Sequence, residues 1–452
     1  MSAAASTPLP RRLLAFYGDD FTGSTDALDV TAKAGLSSVL FLRTPDPALL
    51  DRFADARVVG IAGIARSQTP AWMRAELPAV YDALHATGAA FVHYKVCSTF
   101  DSAPEVGNIG EATRIGLAHF PARPVPITVG APALRRYVTF GNLFAGMGTE
   151  RYRIDRHPVM SRHPVTPMHE ADLRRHLALQ AELSVGLMDL PALDVENVQA
   201  AWRAMRIQNY DAVLFDTVDE RSLRQVGLLL HEMIGDAPLF AIGSSGFEYA
   251  LVSAWRSLGL LDAAPPAAPI TPAERLFAIS GSCSPVTAAQ IARATQADGF
   301  ISLHVDPLSL LESGTAIDAT VSRAVALLAE GRDVLLHTAE GPDDMVSPPS
   351  GDDCGAFNDR LGVVLGHLLG DVLARSGVRR AVVAGGDTSS HATQQLGLHA
   401  LTVAAPLAPG CPLCVGHSDD PALAGLEIAL KGGQMGQDDF FRRAKTGVGS
   451  QP

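Results

Sequence analysis

Short apolar, β-prone runs alternate along the whole chain with longer segments of helical period, and that alternation admits few folds. In the first half the strand candidates are Leu13–Phe16, Ser38–Phe41, Val58–Ile61, Phe91–Lys95, Ile127–Val129, Ser184–Leu187, Ala212–Phe215 and Leu239–Ile242. Helical patterns intervene, among them Trp72–His85, Glu170–Leu179, Val195–Met205 and Leu223–Met233. In the second half Leu276–Ser280, Gly299–His304, Asp333–His337 and Arg379–Ala384 read as strands, with helices at Pro285–Ala294, Asp318–Glu330 and Phe357–Ser376. Brief strands separated by longer helices build mostly parallel sheets, so the expected fold class is α/β, with two α/β domains.

The expected boundary lies at Asp262–Pro272, where four prolines fall in eleven residues and apolar periodicity stops. It divides the chain into a first domain over 1–262, a Pro/Ala linker over 263–272 and a second domain over 273–452. Two α/β domains on one linker lead us to expect the active site in an inter-domain cleft, a preferred place for two-substrate chemistry. At 452 residues the chain exceeds a typical single core. No apolar run is long enough to span a bilayer, so no membrane partner is expected. Met1–Pro10 reads as a tail entering the first buried strand rather than as a secretory signal.

A net charge of −12 argues against nucleic acid as a partner, because phosphate neutralisation needs clustered Lys and Arg. The five cysteines are sparse and odd in number, which fits a reducing compartment and a cytoplasmic location better than a disulfide framework. Cys411 and Cys414 have the C-x-x-C spacing, but only His417 lies close, and Pro409, Gly410 and Pro412 read as a loop. Neither a zinc site nor a redox motif is expected there.

Chemistry concentrates in the run Gly18-Asp19-Asp20-Phe21-Thr22-Gly23-Ser24-Thr25-Asp26, between the first strand and a helix. Carboxylates crowded into such a turn repel one another, so a substrate hydroxyl or a metal is the better reason for them; metal ligands remain unassigned. Lys95 ends a strand whose residues are otherwise apolar or aromatic, so its ammonium emerges at the carboxyl edge of the sheet. With the hydroxyls of Ser98 and Thr99 and the amide of Asn108, it suits a carboxylate-bearing polyol. The Pro-rich loop His157–Glu170 adds three histidines, His163 among them, and Arg162 as anion-binding candidates.

The second half holds three glycine-rich turns. They are Ser280-Gly-Ser282-Cys-Ser284, Gly385-Gly386-Asp387-Thr388 and Lys431-Gly432-Gly433. Glycines admit the close approach of a phosphate, hydroxyls donate to it, and a helix start adds a favourable field. None is a Walker A sequence or a full dinucleotide fingerprint. Lys431 is a candidate phosphate ligand.

These stretches, together with His163-Pro-Val-Thr-Pro-Met168 and Gly107-Asn108, occur in the order found in the four-carbon acid sugar kinases, which the chain resembles over about residues 13 to 443. The resemblance implies an acid-sugar-binding N-terminal domain and a nucleotide-binding C-terminal domain, with ATP phosphorylating a terminal hydroxyl. It places Asp19, Asp20, Thr22, Lys95, Ser98, Thr99 and Asn108 on the sugar side, and Ser280, Ser282, Ser284, Gly385 to Thr388 and Gly433 on the ATP side. The chain departs from the family after Thr99. The usual Ser-Thr-Leu-Arg-Gly-Asn is replaced by Phe100 and a longer loop to Gly107-Asn108, without the arginine. That change points toward an oxo or branched acid sugar, such as an oxo-tetronate or a 3-oxo-isoapionate.

The expected mechanism has Asp19 or Asp20 as general base, with Asp20 the first choice, and Lys95 holding the substrate carboxylate or offsetting phosphoryl charge. Mg²⁺ would bridge the ATP phosphates, and closure over the linker would assemble the site. A small acid sugar and ATP are the expected partners, and a homodimer is compatible with the sequence. The alternatives are an NAD-dependent sugar-acid dehydrogenase and a non-enzymatic two-domain sugar-acid-binding protein.

Overall fold

A computed structural model describes residues 9–448 apart from 164, 195, 345 and 347–353. The expected tail therefore falls largely outside the described residues. Contacts divide the chain into an N-terminal unit, residues 1–38 and 46–265, and a C-terminal unit, residues 39–45 and 266–452. Residues 263–273, around the proline cluster, contain no helix or strand and are mostly exposed.

The first eleven strands, in chain order, are β1 (Leu14–Gly18), β2 (Ser38–Phe41), β3 (Val58–Ala62), β4 (Phe91–Lys95), β5 (Val125–Thr128), β6 (Arg136–Thr139), β7 (Asn142–Met147), β8 (Glu150–Arg153), β9 (Val185–Met188), β10 (Ala212–Phe215) and β11 (Leu239–Gly243). The main sheet of the N-terminal unit runs β3-β1-β4-β11-β5-β10-β9, with every pairing parallel. The central strands β1, β3, β4 and β11 are buried along their whole length, which is why they read as near-continuous apolar runs. Aromatic packing ties helices to this sheet: Phe120 stacks on Phe240 at 5.2 Å, and Tyr81 meets Phe240 edge-on at 5.3 Å. The strands β6-β7-β8 form a separate antiparallel sheet.

The C-terminal unit adds β12 (Phe277–Ser280), β13 (Ile301–His304), β14 (Val334–His337), β15 (Arg380–Ala384), β16 (Ala400–Ala408), β17 (Cys411–His417) and β18 (Glu427–Lys431). Its strand order is β13-β14-β12-β15-β18-β17-β16-β2, parallel through β18 and antiparallel beyond. The run at Ser38–Phe41 is a strand as expected, but its partner is β16: Phe41 opposes Ala400 and Leu40 opposes Leu401.

The Cys411–Cys414 segment is a correction. It is not a loop but the start of β17, and both cysteines are buried, with the Cys411 thiol donating to Leu430 O at 3.1 Å. Pro412 is accepted there because the β16–β17 ladder is irregular, with register shifts between Val403 and Ala405 and between Ala405 and Ala408. Among the described residues no helix is long and apolar enough to cross a membrane.

In each unit the chain leaves one strand toward one side of the sheet and later returns on the other side. In the N-terminal unit β1 is flanked by β3 and β4, and in the C-terminal unit β12 is flanked by β14 and β15. Such a switch point opens a crevice at the carboxyl ends of the strands, where α/β sheets bind ligands. The acidic turn follows β1 and the Lys95 loop follows β4; the first two glycine turns follow β12 and β15.

Candidate functional site

The turn after β1 gives its two neighbouring aspartates different surroundings. Asp20 is the N-cap of the helix Phe21–Lys33: its Oδ1 accepts from Gly23 N at 2.8 Å. Its Oδ2 accepts from Thr22 Oγ1 at 2.5 Å and pairs with Arg66 Nη1 at 2.9 Å. Asp19 is held through its backbone, its N–H donating to Lys95 O at 2.9 Å and its carbonyl accepting from Arg66 N at 3.0 Å. Its side chain is buried, and Oδ1 finds no hydrogen-bond partner among the described residues. Burial, then the Asp20 charge, pushes the Asp19 carboxyl up to about 8, against the pull of Arg66 and Lys95.

Lys95 does end β4 at the sheet edge, but its ammonium is 1% exposed rather than solvated. It donates to Val96 O at 2.9 Å and lies 3.8 Å from Asp26 Oδ2. Burial alone would lower its pKa; Asp26, Asp20 and Asp19 outweigh burial and raise it, so the side chain stays cationic. The close approach depends on Gly23, where a Cβ would collide with Asp20 Oδ1 and stand 3.0 Å from Lys95 Nζ.

The loop after β4 is tied down by polar contacts. Thr99 Oγ1 donates to Asp101 Oδ1, and the Cys97 thiol lies 3.0 Å from the same hydroxyl. Ser98 is half-buried beside them. Burial would raise Asp101, but Arg66, His163 and the Thr99 hydrogen bond hold it below the ordinary carboxylate range. Phe100, buried with φ of 56°, makes the turn, and Gly107 N donates to Gln68 O at 2.9 Å, so the loop rests on the segment that carries Arg66. Asn108 is a helix cap: Oδ1 accepts from Glu111 N at 2.6 Å, and Nδ2 donates to Pro104 O and Gln180 O.

The histidines of the Pro-rich loop separate. Nδ1 of the buried His157 accepts from Val159 N and Met160 N, a local turn, while His169 is exposed. His163 reaches the site through Thr166, whose hydroxyl lies 3.1 Å from His163 Nδ1 and donates to Asp101 Oδ2 at 3.3 Å. Arg162 is exposed on the turn Met160–Arg162. Sequence reasoning missed Arg66 and Asp101, and it read Asp26 only as part of the acidic run, without a role of its own. The signal for that role is its place one helical turn after Thr22, on the face that Thr22 presents.

In the C-terminal unit the three glycine turns start from one line across the sheet. Ser280, Ala384 and Lys431 are register partners on β12, β15 and β18. Gly281 N donates to Ala384 O at 3.2 Å and Gly385 N to Lys431 O at 2.8 Å, which locks the turns side by side. A Cβ on Gly281 would collide with Thr388 Oγ1, and one on Gly433 would lie 2.9 Å from Ser282 Oγ. The three serines form a relay: Ser282 N donates to Ser280 Oγ, Ser284 N to Ser282 Oγ and Val286 N to Ser284 Oγ, at 3.2–3.3 Å. Each hydroxyl keeps its own proton to donate. The helices Pro285–Gln296, capped by Ser284, and Gly386–Gln394, preceded by Gly385 with φ of 118°, begin at these turns. Converging N–H groups, hydroxyls and helix starts suit an oligophosphate. The Asp387 side chain lies outside the described set, so its role as an ATP-side residue stays an expectation.

Lys431 points beneath this cradle. Its buried ammonium donates to Thr287 Oγ1 at 2.9 Å and Gly432 O at 3.0 Å and lies over the Phe440 ring at 5.8 Å. Burial brings its pKa down to about 8.

A sugar-binding N-terminal domain family matches residues 14–251, and a nucleotide-binding C-terminal domain family matches residues 277–441. The chain is 45% identical to the 3-oxo-isoapionate kinase of Paraburkholderia graminis over 445 residues, covering 96% of this chain and 94% of that protein. It is 31% identical to the 3-oxo-tetronate kinase of Cupriavidus necator, covering 98% and 99% of the two chains. A solved structure from Haemophilus influenzae shares the fold with a TM-score of 0.69 at 24% identity, covering 95% of this chain and 98% of its own.

Proposed function

The chain belongs to the four-carbon acid sugar kinases, and on that premise we propose that it transfers the γ-phosphoryl group of ATP to a terminal hydroxyl of a branched oxo acid sugar of the 3-oxo-isoapionate class. The observation that carries the chemistry is the presence together, at the switch point of the N-terminal sheet, of a buried Asp19 carboxyl whose Oδ1 has no hydrogen-bond partner among the described residues and of the buried ammonium of Lys95, whose charge acts on it. The kinase kinship sets aside both the dehydrogenase and the non-catalytic binder.

In this reading Asp19, rather than Asp20, takes the hydroxyl proton as the new O–P bond forms and the bond to the leaving ADP oxygen breaks. Asp20 is committed to capping its helix and pairing Arg66, whereas Asp19 has an oxygen to offer and a pKa near working pH. Lys95, with Arg66, supplies positive charge for the acid group of the sugar or for the transferred phosphoryl. Ser98 and Thr99 border the acceptor, and Ser282, the Gly385–Thr388 turn and Gly433 cradle the phosphates. Mg²⁺ needs only one or two protein ligands when phosphates supply the rest, and the converging hydroxyls of Ser282 and Thr388 fit that role; when bound, the ion would neutralise phosphate charge.

Branched skeletons are favoured because the higher identity is to the isoapionate kinase and because the departure after Thr99 falls beside the acceptor. A coupled ADP-release assay against branched oxo acids, 3-oxo-tetronates and tetronates tests the reading. The branched oxo acid should give the highest kcat/KM, and no ADP release from any of them would overturn it.

A further inference from the structure

The glycine turns account for the phosphates of a nucleotide and leave its nucleoside without a place. An extended nucleotide has two directions open to it along the carboxyl edge of the C-terminal sheet. Toward β17 the edge presents buried Cys411 and Phe440, the latter under the Lys431 ammonium. Toward β14 and β13 it presents His337 and His304, register partners of each other, with His337 also paired to Ser280. Adjacent strands are about 4.8 Å apart, so these residues stand roughly 5 and 10 Å from the first glycine turn, the reach from an α-phosphate to a base.

The two imidazoles stack at 5.2 Å and 12°, with His337 fully buried and the His304 side chain 48% exposed, so one face of the pair is open. His337 is anchored at Nε2 by Ser302 Oγ at 2.7 Å, while its buried Nδ1 has no partner among the described residues. Two carboxylates lie beside the stack. Asp344 Oδ2 accepts from Glu340 N at 3.0 Å and sits 3.4 Å from His304 Nε2, and Glu340 Oε1 is 3.7 Å from His337 Nε2. This segment adjoins the first glycine turn: Thr338 N donates to Ser280 O at 3.1 Å, and the Asp344 charge helps raise the Cys283 thiol after burial. A carboxylate at the tip of the strand next to a glycine-rich turn is where doubly wound sheets hold a ribose.

We propose that this edge is the nucleoside subsite, with a purine base stacked on the open face of His304 and the ribose diol held by Asp344 and Glu340; it rests on the kinase reading above. Calorimetric titration of the full chain with Mg²⁺ and ATP, 2′,3′-dideoxy-ATP or inorganic tripolyphosphate tests it. The native protein should prefer ATP to the dideoxy analogue by about tenfold, the worth of a hydrogen bond to a charged group. The double variant Glu340→Gln/Asp344→Asn should lose that preference, and His304→Ala should weaken both nucleotides about equally, while neither variant weakens tripolyphosphate. Retained ATP affinity and diol preference in the variants would overturn the subsite alone. Failure of the native protein to bind either ATP or tripolyphosphate would overturn the nucleotide reading beneath it.

Discussion

Lys95 Nζ stands 3.8 Å from Asp26 Oδ2, with both side chains buried below the acidic turn. Burial pushes Asp26 up to about 6, and the Lys95 charge keeps it from rising further. Asp26 thus supports, from within the fold, the cation that the sequence placed at the carboxyl edge of the sheet. Asp26→Asn should lower kcat/KM for the acceptor and leave ATP affinity unchanged. Its stability loss, read by urea unfolding, should fall below the about 3–5 kcal/mol of an isolated buried pair, since Asp19 and Asp20 also face Lys95.

Asp19→Asn and Asp20→Asn should separate a proton acceptor from a scaffold. Asp19→Asn is expected to lower kcat by about 10²–10⁴-fold with ATP binding intact. Asp20→Asn keeps a capping side chain but loses the Arg66 pair, so its activity loss should be smaller. Asp20→Ala should additionally cost about 1 kcal/mol of stability through the lost cap. Equal kcat losses in the two Asn variants would refute the assignment of the base.

The pH dependence follows from two oppositely shifted buried groups. Asp19 binds its proton more tightly in the folded chain, about 8 against an ordinary 3.8, so its contribution to stability is complete below pH 3.8 and is lost as pH rises through 8. Lys431 is depressed to about 8 from 10.5, so its penalty is present at neutral pH and is relieved as pH climbs through that interval. Asp19→Asn should flatten the acid-to-neutral limb of a stability–pH profile, and Lys431→Met the alkaline one. The kcat/KM profile should rise with a midpoint close to the Asp19 value and lose that limb in Asp19→Asn.

Gly281→Ala and Gly433→Ala place a methyl group against Thr388 Oγ1 and Ser282 Oγ. Both variants should bind ATP and tripolyphosphate about tenfold more weakly, the scale of one displaced hydrogen bond to a charged group, with the acceptor KM unchanged. Calorimetry on each variant gives the comparison directly.

Strands buried on both faces were legible because burial writes itself as an apolar run: Phe91–Lys95 and Ala212–Phe215 match their predicted limits residue for residue. The hairpins were not. In β6 and β8 the residues Arg136, Arg151 and Arg153 leave one face polar and the signal weak, and in β16 and β17 Pro406 and Pro412 imitate a loop. At the site, residues of the glycine and aspartate turns declared themselves by composition. Arg66 did not, because it sits in the irregular stretch between β3 and the next helix, and its meaning comes from Asp20, far away in sequence. Lys431 looked like a phosphate ligand by neighbourhood, and only packing against Thr287 and Phe440 turned it inward.

The excursion of residues 39–45 into the C-terminal unit makes the chain indivisible at its proline-rich segment. A fragment beginning at residue 266 would lack β2 and leave the N–H and C=O groups of β16 near Ala400 and Leu401 unpaired, an open template for other chains. Such a fragment should aggregate until a peptide spanning residues 36–46 is supplied in trans, whereas a gene split inside a surface loop of either unit would leave each sheet its full set of strands.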